Sequence, residues 1–199
     1  MQDRFFYPLA VLLAAALIGL ALLPAYGARP DGPVSVGTGS YARIEVSGLD
    51  LNRLQPGEGA ERTLLTGGGP PRLRIATTEV RLPDDPVRGP HFPIEADIEQ
   101  AFGAHVVTIH VEARAAPERP ARRLELNYST GRDGESGWQA FDLGEDWATY
   151  TFTYRVPPKL GANGLAYLAV RPGPAAAGGA ALIRRVVFER GERWSEDAQ

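Results

Sequence analysis

Histidines and paired acidic residues are the side chains in this sequence that could perform metal or acid–base chemistry. The histidines lack zinc-site spacing, and two of them would fall on opposite faces of one strand; they are His91, His105 and His110. Carboxylates that cleave a glycosidic bond must face each other across a cleft, whereas the acidic pairs here lie in turn-like stretches. Those pairs are Asp84-Asp85, Asp97-Glu99 and Glu145-Asp146. We therefore predict a protein that is not an enzyme and has no metal site and no cofactor.

One tryptophan is a recognition candidate because of its sequence context. Trp138 follows the polar, glycine-rich stretch TGRDGESG instead of lying in an alternating run. An exposed indole can stack on the apolar face of a pyranose ring, and nearby polar groups then fix the orientation of the ring. Arg132, Asp133 and Glu135 could supply those hydrogen bonds. The alternative is a loop tryptophan that caps the edge of the core.

Polar side chains on three predicted strands form a second candidate set. They are Thr108, His110 and Glu112 on the first strand, Arg123, Glu125 and Asn127 on the second, and Thr151, Thr153 and Arg155 on the third. If the three strands are neighbours, these side chains line one surface that offers hydrogen bonds to hydroxyl groups. His110, Arg123, Asn127 and Arg155 are then candidate ligand-binding residues. The alternative is an ordinary solvated sheet face.

The element that must position these residues is a strand inside the stretch FDLGEDWATYTFTYRVPP, from Phe141 to Pro158. Its apolar residues Tyr150, Phe152 and Tyr154 alternate with threonine, which is the pattern of a strand with one buried face. Pro157 and Pro158 end it, since proline has no N–H to donate to a sheet. Trp147, just before the strand, is also predicted to be in the core.

Further short strands surround this one and indicate the fold class. They are predicted at Tyr41–Val46, Arg72–Leu82 with a bulge near Thr77-Thr78, Phe92–Ile98, His105–Ala113, Arg123–Ser129, Leu165–Val170 and Ala181–Glu189. Residues 48–69 are predicted to be a long loop, and no amphipathic helix is expected in the domain. About eight or nine strands at this spacing predict an all-β fold, an antiparallel β-sandwich of the jelly-roll type.

Composition limits the classes of partner. With 199 residues, 44% of them hydrophobic, the chain can form one good core but not two ordinary domains. The arginines are scattered and balanced by acids, giving a formal net charge of −3. Nucleic acid is therefore excluded as a partner. The domain is placed at residues 41–190, after a linker at 28–40 and before a polar tail at 191–199.

The N-terminal residues, 1–27, predict a membrane anchor. From Phe5 to Leu23 there is no charge, and about 19 residues at 1.5 Å each roughly span a bilayer core. The chain is then a single-pass protein of the cell membrane whose domain faces the periplasm or the exterior. The alternative is a signal peptide removed after Ala25-Tyr26-Gly27, which resembles a small-x-small cleavage site.

The second half of the chain resembles a known family. The segments RRLELNYS, FDLGEDWATYTFTYRVP, LAYLAV and GGAALIRRVVFER follow one another in an order similar to jelly-roll carbohydrate-binding modules of the cellulose- and xylan-binding type, among the galactose-binding-like sandwiches. The resemblance covers Phe92 to Arg190 and implies the fold more than the ligand. Such modules often carry an acid in the last strand that helps to hold a structural calcium. Here Arg184 and Arg185 occupy that position, so we expect no calcium.

Two functional hypotheses follow. The first is a membrane-anchored, non-catalytic module that binds a glycan outside the cytoplasm. The second is an accessory or assembly subunit whose sandwich binds a protein partner in a membrane complex, because one fold hosts many functions.

Overall fold

The structure, a computed structural model, describes residues 7–8, 10–18, 29–36, 39–79, 82–158, 165–173 and 179–194. These residues form ten strands. The strands are β1 (Arg43–Ser47), β2 (Ala60–Leu65), β3 (Arg72–Thr77), β4 (His91–Ile94), β5 (His105–Ala115), β6 (Arg123–Ser129), β7 (Gln139–Asp142), β8 (Ala148–Arg155), β9 (Ala166–Pro172) and β10 (Ala180–Arg193).

The strands form two antiparallel sheets around one main core. The six-stranded sheet has the order β2-β3-β10-β5-β8, with β1 also paired to β10, and the four-stranded sheet has the order β4-β9-β6-β7. Inward side chains of both sheets, such as Ile109 of β5 and Leu126 of β6, are fully buried in the same cluster. This arrangement confirms the predicted antiparallel β-sandwich.

Strand β8 has the orientation that its alternation predicts. Phe152 is buried, Tyr150 and Tyr154 pack against the main core, and the threonines between them are exposed. The prediction for Trp147 is wrong. The Trp147 side chain lies an even number of residues from Thr149 and Thr151 and therefore points to the same, outer face of the six-stranded sheet. There it packs against a small apolar cluster that contains Leu182.

A register shift lies in β10, not near Thr77-Thr78 as predicted. Strand β3 pairs regularly with β2 from Arg72 to Thr77 and ends there, short of the predicted Leu82, and residues 80–81 lie outside the described part. In β10 the register with β5 shifts between Ile183 and Arg185. Because the extra residue reverses the parity, Ile183 before it and Val186 after it both face the core, and Leu182 faces outward.

Two local predictions need correction. A short helix, α1 (Ala96–Phe102), follows β4 where the sequence was interpreted as a continuing strand. Ile98 and Phe102 are four residues apart and both buried, the spacing of one helix face. The predicted loop at 48–69 contains a 3-10 turn, Gly48–Arg53, and the edge strand β2.

The predicted anchor falls partly outside the described residues. Residues 7–8 and 10–18 are helical and exposed, whereas residues 1–6, 9 and 19–28, with the possible cleavage site, lie outside the described part. Within the described part, no helix has both the length and the apolar character needed to cross a membrane. At the other end, β10 continues to Arg193, and the indole N–H of Trp194 donates to the Val156 carbonyl at 3.0 Å, so the first residues of the predicted tail belong to the sandwich.

Candidate functional site

Trp138 lies on the outer face of the four-stranded sheet. It directly precedes β7 and shares the parity of Ala140 and Asp142, whose register partners Glu125 and Arg123 also point away from the core. The indole is half-buried, and the guanidinium carbon of Arg171 lies 3.9 Å from its ring centroid. One face of the ring is therefore covered by a cation, and only the opposite face can receive a ligand.

The Arg171 guanidinium is held from two directions. Arg171 of β9 lies opposite Glu125 of β6, and its Nε donates to the Glu125 carboxylate at 2.7 Å. Its other end donates to the Pro83 carbonyl at 3.3 Å. The Arg171 and Glu125 side chains are only 17% and 11% exposed. A half-buried indole resting on a fixed ion pair is a rigid platform with little freedom to lose on binding.

A network of hydrogen bonds fixes the polar loop beside this platform. The fully buried Asn127 donates its amide to the Glu135 carboxylate at 3.0 Å and accepts from the Ser136 hydroxyl at 3.2 Å. The same hydroxyl accepts from the Tyr128 backbone N–H at 2.9 Å. Two candidates from the sequence, Asn127 and Glu135, are thus joined directly, and Trp138 follows two residues after Ser136.

Two further loop candidates lie next to this network. Asp133 is half-buried, and one of its carboxylate oxygens is buried without a hydrogen-bond partner among the described residues. Burial, with the carboxylates of Glu135 and Asp133 nearby, raises the pKa of Tyr154. Arg132 lies in the 3-10 turn Gly131–Asp133, and its side chain is outside what the structure describes. Arg123 is exposed opposite Asp142 at the far end of β6.

An aromatic pair lies elsewhere on the same face. His91 of β4 makes an edge contact with Tyr167 of β9, with ring centroids 5.6 Å apart, and its Nδ1 donates to the Gly89 carbonyl at 2.9 Å. Burial, and to a smaller extent the carboxylates of Asp85 and Glu135, raises the pKa of Tyr167. The Tyr167 hydroxyl therefore stays protonated and can donate a hydrogen bond.

His110 and Arg155 do not join this face. They lie on β5 and β8, which are neighbours in the six-stranded sheet, whereas β6 belongs to the other sheet. The outer faces of two packed sheets point in opposite directions, so the single surface expected from three strands is not formed. His110 Nδ1 lies 2.8 Å from the Thr151 hydroxyl. Burial, together with Arg43 and Arg185, lowers the pKa of His110.

Arg184 and Arg185, which stand where the resemblance would place a calcium ligand, both contact the carboxylate of Glu112. The Arg184 guanidinium lowers the pKa of Glu112. Within the described part of the chain, no group of three histidines or acids is placed to hold a metal ion.

Arg171 is the site residue that the sequence analysis missed. It is the only charged residue in the otherwise apolar strand β9. An isolated arginine at the end of a strand buried on both sides is the signal that could have identified it, since such a charge needs a partner.

The chain is similar to solved structures but not to a family model or to a curated protein. No family model matches, and no curated protein matches. The CBM22-2 xylan-binding domain of Paenibacillus barcinonensis Xyn10C superposes with a TM-score of 0.52 at 12% identity, covering 74% of this chain and 99% of that one. The CBM22-1-CBM22-2 tandem of the same protein gives a TM-score of 0.52 at 15% identity, covering 73% of this chain and 42% of the tandem.

The chain has the jelly-roll fold of carbohydrate-binding modules. At this level of identity the likeness describes the fold, and the ligand must be argued from the side chains.

Proposed function

We propose that this chain is a non-catalytic carbohydrate-binding module whose ligand lies against Trp138 on the outer face of the four-stranded sheet. The observation that carries the proposal is the platform of Trp138, Arg171 and Glu125, in which one indole face is fixed on an ion pair. A sugar ring can stack on the opposite face. Glu135, exposed in the loop three residues before Trp138, can accept hydrogen bonds from sugar hydroxyls.

The wider setting of the proposal comes from the sequence. A helix at Phe5–Leu23 would hold the module at a membrane, with the sandwich in the periplasm or outside the cell. Glycans of the cell envelope would then be within its reach.

The test is a titration of the detergent-solubilised full chain with neutral oligosaccharides of xylan, cellulose and envelope glycans, followed by tryptophan fluorescence and calorimetry. We expect saturable binding that Trp138→Ala reduces at least about fivefold, because stacking on an aromatic ring contributes on the order of 1 kcal/mol or more. Trp147→Ala is the matched control. It makes the same change on the opposite sheet and should leave neutral-glycan binding unchanged.

Two outcomes would contradict the proposal. One is equal affinity of Trp138→Ala and the unmodified chain for a bound glycan. The other is no response to any glycan together with stoichiometric co-purification of an integral-membrane protein, which would favour the accessory-subunit hypothesis.

A further inference from the structure

A groove with an excess of positive charge lies on the outer face of the six-stranded sheet, away from Trp138. It has a volume of about 280 Å3 and crosses β2, β3, β10 and β5. The residues that line it include Arg72, Arg74 and Arg114, with one acidic residue, the exposed Glu118. Its apolar floor includes Leu65 and Leu182.

The strand register places two of these arginines on either side of the same leucine. Leu182 of β10 pairs with Arg74 of β3 on one side and with Arg114 of β5 on the other. Strands in a sheet are about 4.8 Å apart, so the two arginine backbones are roughly 10 Å apart. Both side chains leave the sheet on its outer face, as Leu182 does. A small anion above Leu182 is therefore within reach of both guanidinium groups.

The groove arginines have no carboxylate partner among the described residues. Arg72 donates to the Gly67 carbonyl at 2.9 Å, and Arg114 donates to the Glu145 carbonyl at 3.3 Å and lies against the Trp147 ring. Among the described residues, the Arg74 side chain forms no hydrogen bond and no ion pair, and Nε of Arg114 is buried without a hydrogen-bond partner. All three side chains belong to half-buried residues. Half-buried cations without a counter-charge favour an anion from outside the chain.

Three other arginines on the same sheet face, unlike those of the groove, are paired with carboxylates. Arg43 pairs with Glu189, and Arg184 and Arg185 both pair with Glu112. These three pairs compensate positive charge elsewhere on the face, whereas the arginines that line the groove have no carboxylate partner among the described residues.

We propose that this groove binds the carboxylate of a uronic acid residue in an acidic glycan. Planar guanidinium groups bind carboxylates in a two-pronged geometry, and the apolar floor suits the face of a single sugar ring. The volume lies at the small end for ligand sites, which fits one residue of a longer chain. That the ligand is a sugar rests on the proposed function; that it is a carboxylate rests on the arginines alone.

The experiment is calorimetric titration of the detergent-solubilised full chain with tetragalacturonate, and in parallel with the neutral xylotetraose. We expect tetragalacturonate to bind with an affinity that falls as salt is raised from about 50 to 300 mM. Arg74→Gln/Arg114→Gln should lower its association constant at least about tenfold, since it removes two charged hydrogen-bond donors that would hold the carboxylate. Xylotetraose binding should be unaffected by this change.

The matched control is Arg43→Gln/Arg88→Gln, which removes the same charge from exposed arginines outside the groove. It should retain tetragalacturonate binding. Arg74→Gln alone serves if the double variant does not fold, because Arg74 makes no hydrogen bond within the described residues.

The outcomes separate this inference from the proposed function. Tetragalacturonate binding that both double variants weaken equally would reflect net charge only and would overturn the inference, as would no binding at all. Loss of xylotetraose binding in Trp138→Ala, with no response to tetragalacturonate, would overturn it while leaving the proposed function intact. Groove-dependent binding of tetragalacturonate without binding of any neutral glycan would support the inference and overturn the proposed function.

Discussion

At the scale of single residues, the proposed neutral-glycan site depends on Arg171 more than on the residues that surround Trp138 in sequence. Arg171 holds Trp138 by its planar face and neutralises Glu125 by its edge. Lysine could not replace it, because an ammonium group offers no planar surface for the indole. The tryptophan is thus positioned by a residue from a different strand, on the far side of β6.

Arg171→Met is expected to destabilise the domain by about 3 kcal/mol, because it leaves the nearly buried Glu125 carboxylate without its counter-charge. The double change Arg171→Met/Glu125→Leu should recover most of that loss, since apolar residues of similar volume often replace a buried ion pair without cost. Chemical denaturation of the two variants measures both effects. Equal instability of the single and double variants would show that the guanidinium stabilises the domain by stacking on Trp138 instead.

At the scale of elements, β8 and β10 show how parity assigns side chains to faces. Strand β8 has an unbroken alternation from Tyr150 to Tyr154, so its buried face was predicted correctly. In β10 the shift at Arg184 reverses the parity in the middle of the strand. Simple alternation would place Leu182 on the same face as Val186 and Phe188, whereas Leu182 lies on the opposite face and forms part of the floor of the outer groove.

Phe152→Ala is expected to lower the free energy of unfolding by about 3–5 kcal/mol, since Phe152 is 8% exposed in the main core. Thr153→Ala is the control from the same strand. Its side chain is exposed, so its replacement should change stability by less than about 0.5 kcal/mol. Urea unfolding monitored by tryptophan fluorescence compares them, and similar midpoints for the two variants would contradict the assigned faces.

At the scale of the whole molecule, the sandwich has two separate outer faces with different chemistry. One carries an aromatic platform beside a fixed polar loop. The other carries a groove with an apolar floor, lined by arginines that have no carboxylate partner among the described residues. The two proposals therefore place a neutral sugar and an acidic sugar on opposite sides. A single chain could then contact two polysaccharide strands.

The membrane segment is also a question about the whole molecule. We expect the mature protein to retain Met1 to Leu23, because an uncharged run of about 19 residues roughly matches the thickness of a bilayer core. Intact mass of the protein extracted from membranes measures this directly. A mature N-terminus at Ala28 would instead identify a cleaved signal peptide.

The sequence by itself was enough to predict the β-sandwich and the buried face of β8. Each of these depends on a local repeat of apolar residues along one strand, and such a repeat is visible without knowledge of strand partners. The sequence also identified Trp138 and Glu135 as neighbours, since only a short loop separates them. These predictions are local in the chain.

Only the tertiary structure decided which strands share a sheet. The pairing of β6 with β9 brings Arg171 to Glu125 and Trp138, and the position of β10 between β3 and β5 brings Arg74 and Arg114 together. Pairings between strands distant in sequence depend on the packing of the whole core, and no single strand's pattern encodes them. For that reason His110 and Arg155, placed with Asn127 from the sequence, lie on the opposite side of the molecule.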